Sequence, residues 1–167
     1  MVKKVCVLDT SPLIGGFSPG KEEAEQATVP SVLNELKEGI PRFRLEAGLA
    51  GRKVKILEPS AERIKEVSKL VEKTGDKLSK TDVELLALAL SLWREGKKVE
   101  VVTDDYGIQN VASLLGIPHR GLLMPGIRKV VKWSRICPAC GRRYPARAKY
   151  CSVCGSELKR IGEKARV

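Results

Sequence analysis

The sequence lacks the long apolar runs from which membrane-spanning segments are built. No stretch approaches the roughly 18–20 consecutive apolar residues that a transmembrane helix needs. The apolar residues 5–8 are followed at once by Asp9, which interrupts the apolar segment that a signal peptide requires. We therefore expect neither a membrane span nor a secretion signal, and we expect a cytoplasmic protein.

Histidine is also scarce, since His119 is the only one among 167 residues. A mechanism that uses one histidine as the acid and a second as the base is therefore excluded. We interpret His119 as a loop residue. Cysteine occurs five times, an odd number that does not fit a framework of disulfides in a chain without a secretion signal.

Acidic residues are almost absent from the C-terminal part, so the positive charge is concentrated there. The formal net charge is +11. Residues 1–121 contain 19 Lys and Arg against 18 Asp and Glu, whereas residues 122–167 contain 12 against 2. Clustered cations bind polyanions because they displace the counterions of the phosphates. The C-terminal part is therefore predicted to bind nucleic acid; the alternative is a basic tail that only aids solubility.

Length and apolar content favour two domains of unequal size. A chain of 167 residues with 43% hydrophobic residues has room for one domain of about 100–150 residues and a small second one. The cysteine pairs lie in the basic C-terminal part. We predict an α/β domain at residues 1–121, a basic linker at 122–135, a small cysteine-rich domain at 136–160 and a basic tail at 161–167.

Short apolar runs alternate with amphipathic segments in the first domain. The predicted buried strands are residues 3–8, 53–57 and 99–103, with a last sheet segment beginning at residue 117. The predicted helices are residues 30–39, 41–50, a segment after Ser60, residues 82–94 and residues 106–115. Because helices connect the strands, the strands are expected to pair in parallel within a three-layer α/β sheet.

Two of the predicted strands end in acidic residues. Asp9 follows the first strand, and Asp104 and Asp105 follow a later one. In an open α/β sheet the ligand site lies beyond the carboxyl ends of the strands. Asp82, in the first turn of a helix, and Glu35, in an earlier helix, are placed to reach the same edge. Crowded carboxylates repel one another unless a cation neutralises them, and Mg²⁺ or Mn²⁺ suits an all-oxygen site.

Such a site predicts metal-assisted hydrolysis of a phosphodiester, a reaction that needs no histidine. Each acid also has a structural alternative. Asp82 fits a capping box with Ser79, Glu35 fits a solvated position on a helix, and Asp9 fits a buried structural role. The sequence alone leaves these alternatives open.

The cysteines predict a zinc site. Cys137 and Cys140 form one Cys-x-x-Cys pair, Cys151 and Cys154 form a second, and a glycine follows each pair. Two such turns place four sulfurs around one tetrahedral ion. A segment this small buries little apolar area, so zinc, worth about 10–16 kcal/mol in comparable peptides, is expected to be its main source of stability. Iron in an S₄ site and disulfides are the alternatives, and Cys6 is expected to fill the core.

Basic and aromatic side chains alternate around the cysteine pairs. The cations expected to bind phosphate are Arg142, Arg143, Arg147 and Lys149, with Lys132 beside Trp133 in the linker. Cations bind phosphates while an aromatic ring stacks on an unpaired base, so Tyr144 and Trp133 predict binding of single-stranded or irregular RNA. The alternative is that Tyr144 and Tyr150 cover the small zinc core.

Four acidic motifs, taken in order, resemble those of the PIN nuclease family. They are Val-Leu-Asp-Thr-Ser at residues 7–11, Val-Pro-Ser-Val-Leu-Asn-Glu at 29–35, Ser-Lys-Thr-Asp at 79–82 and Thr-Asp-Asp at 103–105. The resemblance covers residues 1–120 and implies a Mg²⁺- or Mn²⁺-dependent ribonuclease with Asp9, Glu35, Asp82 and Asp105 as its acidic site. Asp104 is a neighbour able to share the role of Asp105.

Residues 104–111, together with the cysteine-rich domain, are similar to the archaeal NOB-type ribosome maturation endonucleases of this family. This resemblance implies cleavage of precursor small-subunit ribosomal RNA at its mature 3′ end. The implied partner is the pre-small ribosomal subunit, and we expect a monomer when the chain is free. The first alternative is a non-catalytic RNA-binding assembly factor. The second is a phosphate-handling domain such as a haloacid-dehalogenase-like phosphatase, which would need an aspartate where Ser11 stands.

Overall fold

The computed structural model describes residues 4–166 as an α/β domain followed by a three-stranded antiparallel sheet. Residues 1–3 and Val167, the ends of the predicted α/β domain and basic tail, lie outside the described residues. The elements are β1 (Lys4–Leu8), α1 (Thr10–Ile14), β2 (Glu25–Thr28), α2 (Pro30–Glu35), α3 (Ile40–Ala50), β3 (Val54–Ile56), α4 (Ala61–Thr74), α5 (Lys80–Arg94), β4 (Lys98–Val102), α6 (Tyr106–Leu114), β5 (His119–Arg120), β6 (Lys129–Ile136), β7 (Arg143–Pro145) and β8 (Lys159–Arg166). Among these described helices, none has the length and apolar character needed to cross a membrane.

Five parallel strands form the sheet of the α/β domain, in the order β3-β2-β1-β4-β5. Val7 and Leu8 of β1 pair with Val101 and Val102 of β4. From β1 the chain runs outward through β2 and β3, and it then returns to place β4 on the other side of β1. Ligand sites of open α/β sheets lie at such a change of direction, beyond the carboxyl ends of the strands. The predicted α/β fold with a parallel sheet is confirmed.

Helix α5 supplies much of the apolar core beneath the sheet. Its Leu85, Leu86 and Leu90 are almost completely buried, and the helix contacts both β1 and β4. The helix begins with a capping box, in which the Ser79 side chain accepts from the Asp82 backbone and the Asp82 side chain accepts from the Ser79 backbone. The box fixes the first turn of α5 and therefore the position of Asp82.

Several local features of the α/β domain differ from the expectation. The sequence does not predict strand β2, because its buried residues include the polar Gln26 and Thr28. Thr28 Oγ1 donates to the carbonyl of Leu8 at 2.7 Å, which satisfies the hydroxyl inside the sheet. Helix α2 ends at Glu35, earlier than predicted. His119 lies in β5, paired with Val101, rather than in a loop.

The segments interpreted as a basic linker and a basic tail are largely strands. Strand β6 pairs with β8 from Lys129↔Arg166 to Ile136↔Lys159, and β7 pairs with the other edge of β6. Residues 129–135 of the predicted linker and residues 161–166 of the predicted tail are thus strand residues. Because these segments are rich in basic residues, their sequence does not predict strands. The strands form through backbone hydrogen bonds, which leave the long cationic side chains exposed to water.

Strand β6 also joins the antiparallel sheet to the α/β domain, since it contacts α4 and α6. Asp76, just after α4, accepts from Trp133 Nε1 at 3.0 Å and from Asn110 Nδ2 at 2.9 Å. Asn110 of α6 also exchanges two hydrogen bonds with the backbone of Val131, at 2.8 and 2.7 Å. These contacts fix the C-terminal sheet beside the helix that begins at Tyr106.

Candidate active site and metal centre

Asp9 lies at the carboxyl end of β1, in the middle of the sheet. Its side chain is only 5% exposed. Oδ2 accepts from Thr103 Oγ1 at 2.7 Å and from Ser11 Oγ at 2.8 Å. Within residues 4–166 no side chain or backbone group donates to Oδ1. Asp9 is therefore held through one carboxylate oxygen, which leaves the other oxygen for a ligand.

Asp105 is positioned by the same threonine. Its backbone N–H donates to Thr103 Oγ1 at 3.0 Å. Its Oδ1 accepts from the backbone of Gly107 at 2.6 Å and of Ile108 at 3.2 Å, so Asp105 is the N-cap of α6. A carboxylate is favourable at a helix N-terminus because the unpaired N–H groups and the helix dipole attract it.

Asp82 faces the same edge of the sheet from α5. Its Oδ2 accepts from the backbone N–H of Ser79 at 2.7 Å, so the capping alternative describes it correctly. Burial raises the pKa of Asp82, and the nearby carboxylates of Asp9 and Asp105 raise it further. Asp82 thus caps α5 and also lies near the other two acids.

The three aspartates share one arrangement, in which hydrogen bonds hold one oxygen and leave the second without a donor. Their oxygens are farther apart than the cysteine sulfurs. In the described part of the chain, no three carboxylates have oxygens that all lie within 4.8 Å of one another. Mg²⁺ keeps several water ligands and contacts only one or two carboxylates directly. A spaced set of carboxylate oxygens without internal donors therefore fits a hydrated divalent cation.

Glu35 lies beside this set but is less firmly held. It is the last residue of α2, it is exposed, and its Oε2 accepts from Thr10 Oγ1 at 3.1 Å. Thr10 directly follows Asp9, so Glu35 is placed at the rim of the site. Glu84 of α5 accepts from Ser31 Oγ of α2 at 2.6 Å, which ties the helix that carries Glu35 to the helix that carries Asp82.

Asp104 is bound by the loop that follows β5. Its Oδ1 accepts from the backbone N–H groups of Leu122, Leu123 and Met124 at 2.8, 3.1 and 3.0 Å. Burial by itself would raise the pKa of Asp104, but the three N–H donors together hold this pKa below its usual value. Gly121 has no room for a side chain here, since a Cβ would lie 2.1 Å from the carbonyl oxygen of Met124. Asp104 therefore organises the loop at residues 121–124.

The four cysteines of the C-terminal sheet converge as predicted. Their sulfurs all lie within 4.8 Å of one another, with Cys137 and Cys154 at 3.3 Å and Cys140 and Cys151 at 3.6 Å. Sulfurs about 2.3 Å from a tetrahedral zinc ion are about 3.8 Å apart, so this spacing fits zinc after a small adjustment. The hydroxyl of Tyr144 lies 3.1 Å from Cys151 Sγ, and this hydrogen bond, together with the backbone N–H groups of Cys154 and Val153, lowers the pKa of the Cys151 thiol to about 5.

Comparison with known proteins decides the family. The family described as "PIN domain of ribonuclease" matches residues 6–92, and the "zinc-ribbon domain" matches residues 136–158. The chain is 42% identical over 168 residues to Endoribonuclease Nob1 of Methanocaldococcus jannaschii. This alignment covers 99% of the chain and 82% of the relative. It is 39% identical over 170 residues to Endoribonuclease Nob1 of Pyrococcus abyssi, which covers 99% of each.

The chain belongs to the Nob1 family of PIN-domain endoribonucleases. It is also 35% identical over 162 residues to Ribonuclease VapC1 of Thermoplasma acidophilum, which covers 96% of this chain and 79% of the relative. The resemblance to PIN nucleases with a zinc ribbon is thus confirmed. Membership in the Nob1 family supports endoribonuclease activity for this chain.

The ribbon residues predicted to bind RNA fall into two groups in this Nob1-family structure. Arg142, Arg147, Lys149 and Lys132 are exposed. The other three have partners within the protein. Arg143 forms an ion pair with Glu163, and Tyr144 packs on the zinc core, as its structural alternative predicts.

Trp133 is the third predicted RNA-binding residue that has partners within the protein. Its Nε1 donates to Asp76, and the guanidinium of Arg160 lies 3.8 Å from the centre of its ring. One face of the indole is therefore covered by a cation rather than open to a base. Trp133 and Tyr144 contribute more to the structure of the ribbon than the sequence suggests.

Thr103 and Ser11 are site residues that reasoning from the sequence missed. Ser11 Oγ donates to Asp9 and accepts from the backbone N–H of Asp104 at 3.0 Å, and Thr103 links Asp9 to Asp105. The available signal was their place in the acidic motifs, since each hydroxyl lies within two residues of an aspartate. In this chain the two hydroxyls hold Asp9 and the backbone of Asp104 and Asp105 in place.

Proposed function

We propose that this chain is a Mg²⁺- or Mn²⁺-dependent endoribonuclease that cleaves precursor small-subunit ribosomal RNA at its mature 3′ end. The observation that carries the proposal is the hydroxyl of Thr103, which bonds both the Asp9 carboxylate and the Asp105 backbone. It gathers acids from two strands at the edge that Asp82 also faces. The name Endoribonuclease Nob1, which two of the relatives carry, supports RNA as the substrate.

The oxygens of Asp9, Asp82 and Asp105 that have no internal donor are the groups that would hold the ion. When bound, a divalent ion lowers the pKa of a water ligand and offsets the charge on the leaving oxygen. Ser11 and Thr103 keep the Asp9 carboxylate in one orientation, so little reorganisation is needed when substrate arrives. Burial, and after it the nearby Asp9 and Asp105 carboxylates, raise the pKa of Asp82, and a cation that offsets the repulsion among these acids is bound favourably.

Glu35 and Asp104 receive different assignments in this proposal. Glu35 is exposed at the rim of the site, where its carboxylate is placed to orient the attacking water or the ion. Asp104 supports the loop at residues 121–124 through three backbone hydrogen bonds. Of the two adjacent aspartates in the Thr-Asp-Asp motif, the proposal therefore takes Asp105 as the ligand of the ion.

The zinc ribbon is the part of the chain that binds RNA in this proposal. Its exposed Arg142, Arg147, Lys149 and Lys132 have the chemistry for phosphate binding, and they lie on a sheet anchored to the nuclease domain. Hydrolysis at the acidic edge would leave 3′-hydroxyl and 5′-phosphate ends. The pre-small ribosomal subunit is the proposed setting in which the precursor RNA is bound.

The experiment compares the wild type with Asp9→Asn on a precursor small-subunit RNA fragment that spans the mature 3′ end. With Mn²⁺ added, the wild type is expected to cut once at that end. Asp9→Asn is expected to slow cutting by on the order of 1000-fold, since several kcal/mol of charge stabilisation depend on the ion. RNA binding should persist, because the ribbon is unchanged. Glu62→Gln, which removes an exposed carboxylate on α4, is the matched control.

Two results would contradict the proposal. Full activity of Asp9→Asn would remove the acidic site from the mechanism. A wild-type chain that binds the fragment but shows no Mn²⁺-dependent cutting would instead be a non-catalytic RNA-binding assembly factor, the second function that the sequence allows.

A further inference from the structure

A groove of about 510 Å³ lies between the first turn of α6 and the paired strands β6 and β8. Asp105 and Tyr106 form one end, and Lys129, Trp133 and Lys164 lie on the strand side. Because Asp105 belongs to the acidic edge, the groove opens directly onto the proposed place of cleavage. It is a different surface from the one that carries the exposed arginines of the ribbon.

Three lysines border this groove, namely Lys77, Lys129 and Lys164. All three are exposed, and none has a carboxylate within 4.0 Å among residues 4–166. Lys4 and Lys55, by contrast, are paired with glutamates at 2.8 and 3.3 Å. Ammonium groups without acidic partners, gathered beside one groove, attract a polyanion and are available to contact its phosphates.

Tyr106 gives the groove an aromatic surface next to the acids. It is the first residue of α6, directly after Asp105, and it is 47% exposed. An exposed ring beside a line of cations has the chemistry of a stacking platform for an unpaired base, a contact that is tolerant of base identity. Among residues 4–166, Tyr106 is not one of the side chains that pack on the buried core, so its ring is available to a ligand.

The groups at the floor of the groove already have partners within the protein. The Arg160 guanidinium lies over the Trp133 ring and donates to the Gly75 carbonyl at 2.8 Å. Asp76 also lines the groove, but its carboxylate accepts from Trp133, Asn110 and Thr74. These engaged groups do not need to rearrange, so a ligand meets a preformed surface.

We propose that this groove binds the single-stranded RNA segment adjacent to the scissile phosphate, with one base stacked on Tyr106. Lys77, Lys129 and Lys164 bind the phosphates of that segment. The inference rests on the proposed function, since it takes the acidic edge as the place of cleavage. A duplex is a poorer occupant, because its bases stack on one another and offer no face to a tyrosine. Tyr106 therefore selects unpaired RNA at the cleavage site.

The test measures binding of fluorescein-labelled oligouridine to the full-length, zinc-loaded chain that carries Asp9→Asn to prevent cutting. Tyr106→Ala is expected to weaken binding by roughly 5- to 100-fold, the usual loss for one stacked base. Tyr106→Phe keeps the ring and is expected to bind like the parent. An abasic probe of the same length should show no difference between Tyr106→Ala and its parent.

The phosphate contacts have a separate readout in the salt dependence of binding. The double variant Lys129→Gln, Lys164→Gln is expected to reduce the log–log salt slope by about 1.4, since each contact on a single strand contributes about 0.7. Lys98→Gln is the matched control, because Lys98 begins β4 at the end of the strand opposite to Asp105. Its slope should equal that of the parent.

The proposal is overturned if Tyr106→Ala leaves oligouridine binding unchanged, or weakens abasic and duplex probes equally. Failure of the groove and failure of the nuclease are distinguishable in the chain with Asp9 restored. Precursor cutting that is insensitive to Tyr106→Ala retains the nuclease and removes the groove. Binding that depends on Tyr106, without any cutting by the restored chain, retains the groove and removes the nuclease.

Discussion

The hydroxyl of Thr103 donates a 2.7 Å hydrogen bond to Asp9 Oδ2, although the two residues are 94 positions apart in the chain. Both side chains are buried. Because the same hydroxyl accepts from the backbone of Asp105, one threonine sets the positions of two acids from different strands. Thr103 is thus a positioning residue for the acidic edge.

Removal of that hydroxyl should impair turnover more than binding. Thr103→Val leaves Asp9 with Ser11 as its remaining donor and removes the acceptor for the N–H of Asp105. We expect kcat to fall roughly 10- to 100-fold with KM almost unchanged, since small misplacements of catalytic groups have effects of this size. The free energy of unfolding should fall by about 1–3 kcal/mol. Thr103→Ser retains the hydroxyl and should recover most of the rate; equal rates for Val and Ser would contradict this role.

Asp104 and Asp105 are adjacent, yet their substitutions should have opposite consequences. Asp105→Asn is expected to abolish cleavage with a small effect on stability, because asparagine is also a good N-cap. Asp104→Ala is expected to lower the melting temperature, because three backbone N–H groups lose their acceptor, while most of the cleavage rate survives. Thermal unfolding and single-turnover cleavage measure the two effects, and a catalytic loss confined to Asp104→Ala would reverse the assignment.

Zinc removal should unfold the ribbon and spare the nuclease domain. The buried cluster of the ribbon contains only Cys137, Cys151 and Leu158, too little apolar surface to replace the ion. Chelation should therefore abolish RNA binding, measured without Mg²⁺ or Mn²⁺, and leave the main melting transition in place. Cys6→Ala is the matched control, because Cys6 is buried in β1 and should not alter the zinc content. Retained RNA binding after complete loss of zinc would argue against this dependence.

His119 should make stability fall as the solution is acidified. Burial lowers the pKa of His119 from its usual 6.5, and Glu100 opposes the shift only in part. Below about pH 6.5 the unfolded chain therefore binds more protons at this residue than the folded chain does, so this contribution is complete above that pH and decreases below it. His119→Gln should show a shallower loss between about pH 7 and pH 5.5 in urea unfolding. Parallel curves for the two proteins would refute this linkage.

Much of the α/β fold follows from local patterns in the sequence. The apolar runs of β1 and β4, and the Ser79 cap before α5, are visible because they depend on neighbouring residues. Strand β2 is not visible, since Gln26 and Thr28 become compatible with burial only after partners are in place. The 2.7 Å hydrogen bond from Thr28 to the Leu8 carbonyl is such a partner, and it is made across the sheet.

The C-terminal strands are not predictable from the sequence for a similar reason. Basic residues in β6 and β8 favour a solvated linker and tail when each segment is considered alone. Their pairing brings together residues such as Trp133 and Gly162, which are far apart in the chain. A backbone ladder of this kind depends on the partner strand, and no local pattern in either segment identifies that partner.

Local features of the sequence are enough to establish which chemical groups this protein has available. Acids at the ends of two strands, two Cys-x-x-Cys pairs and a strongly basic C-terminal part are local properties, set by adjacent residues and by spacing along the chain. How these groups are used depends on the folded chain. It turned Asp104 into a loop acceptor, joined Asp9 to Asp105 through Thr103, and placed a basic groove beside them. Hydrogen bonds and charge fields depend on distance in space, and folding brings close together residues that the chain keeps far apart.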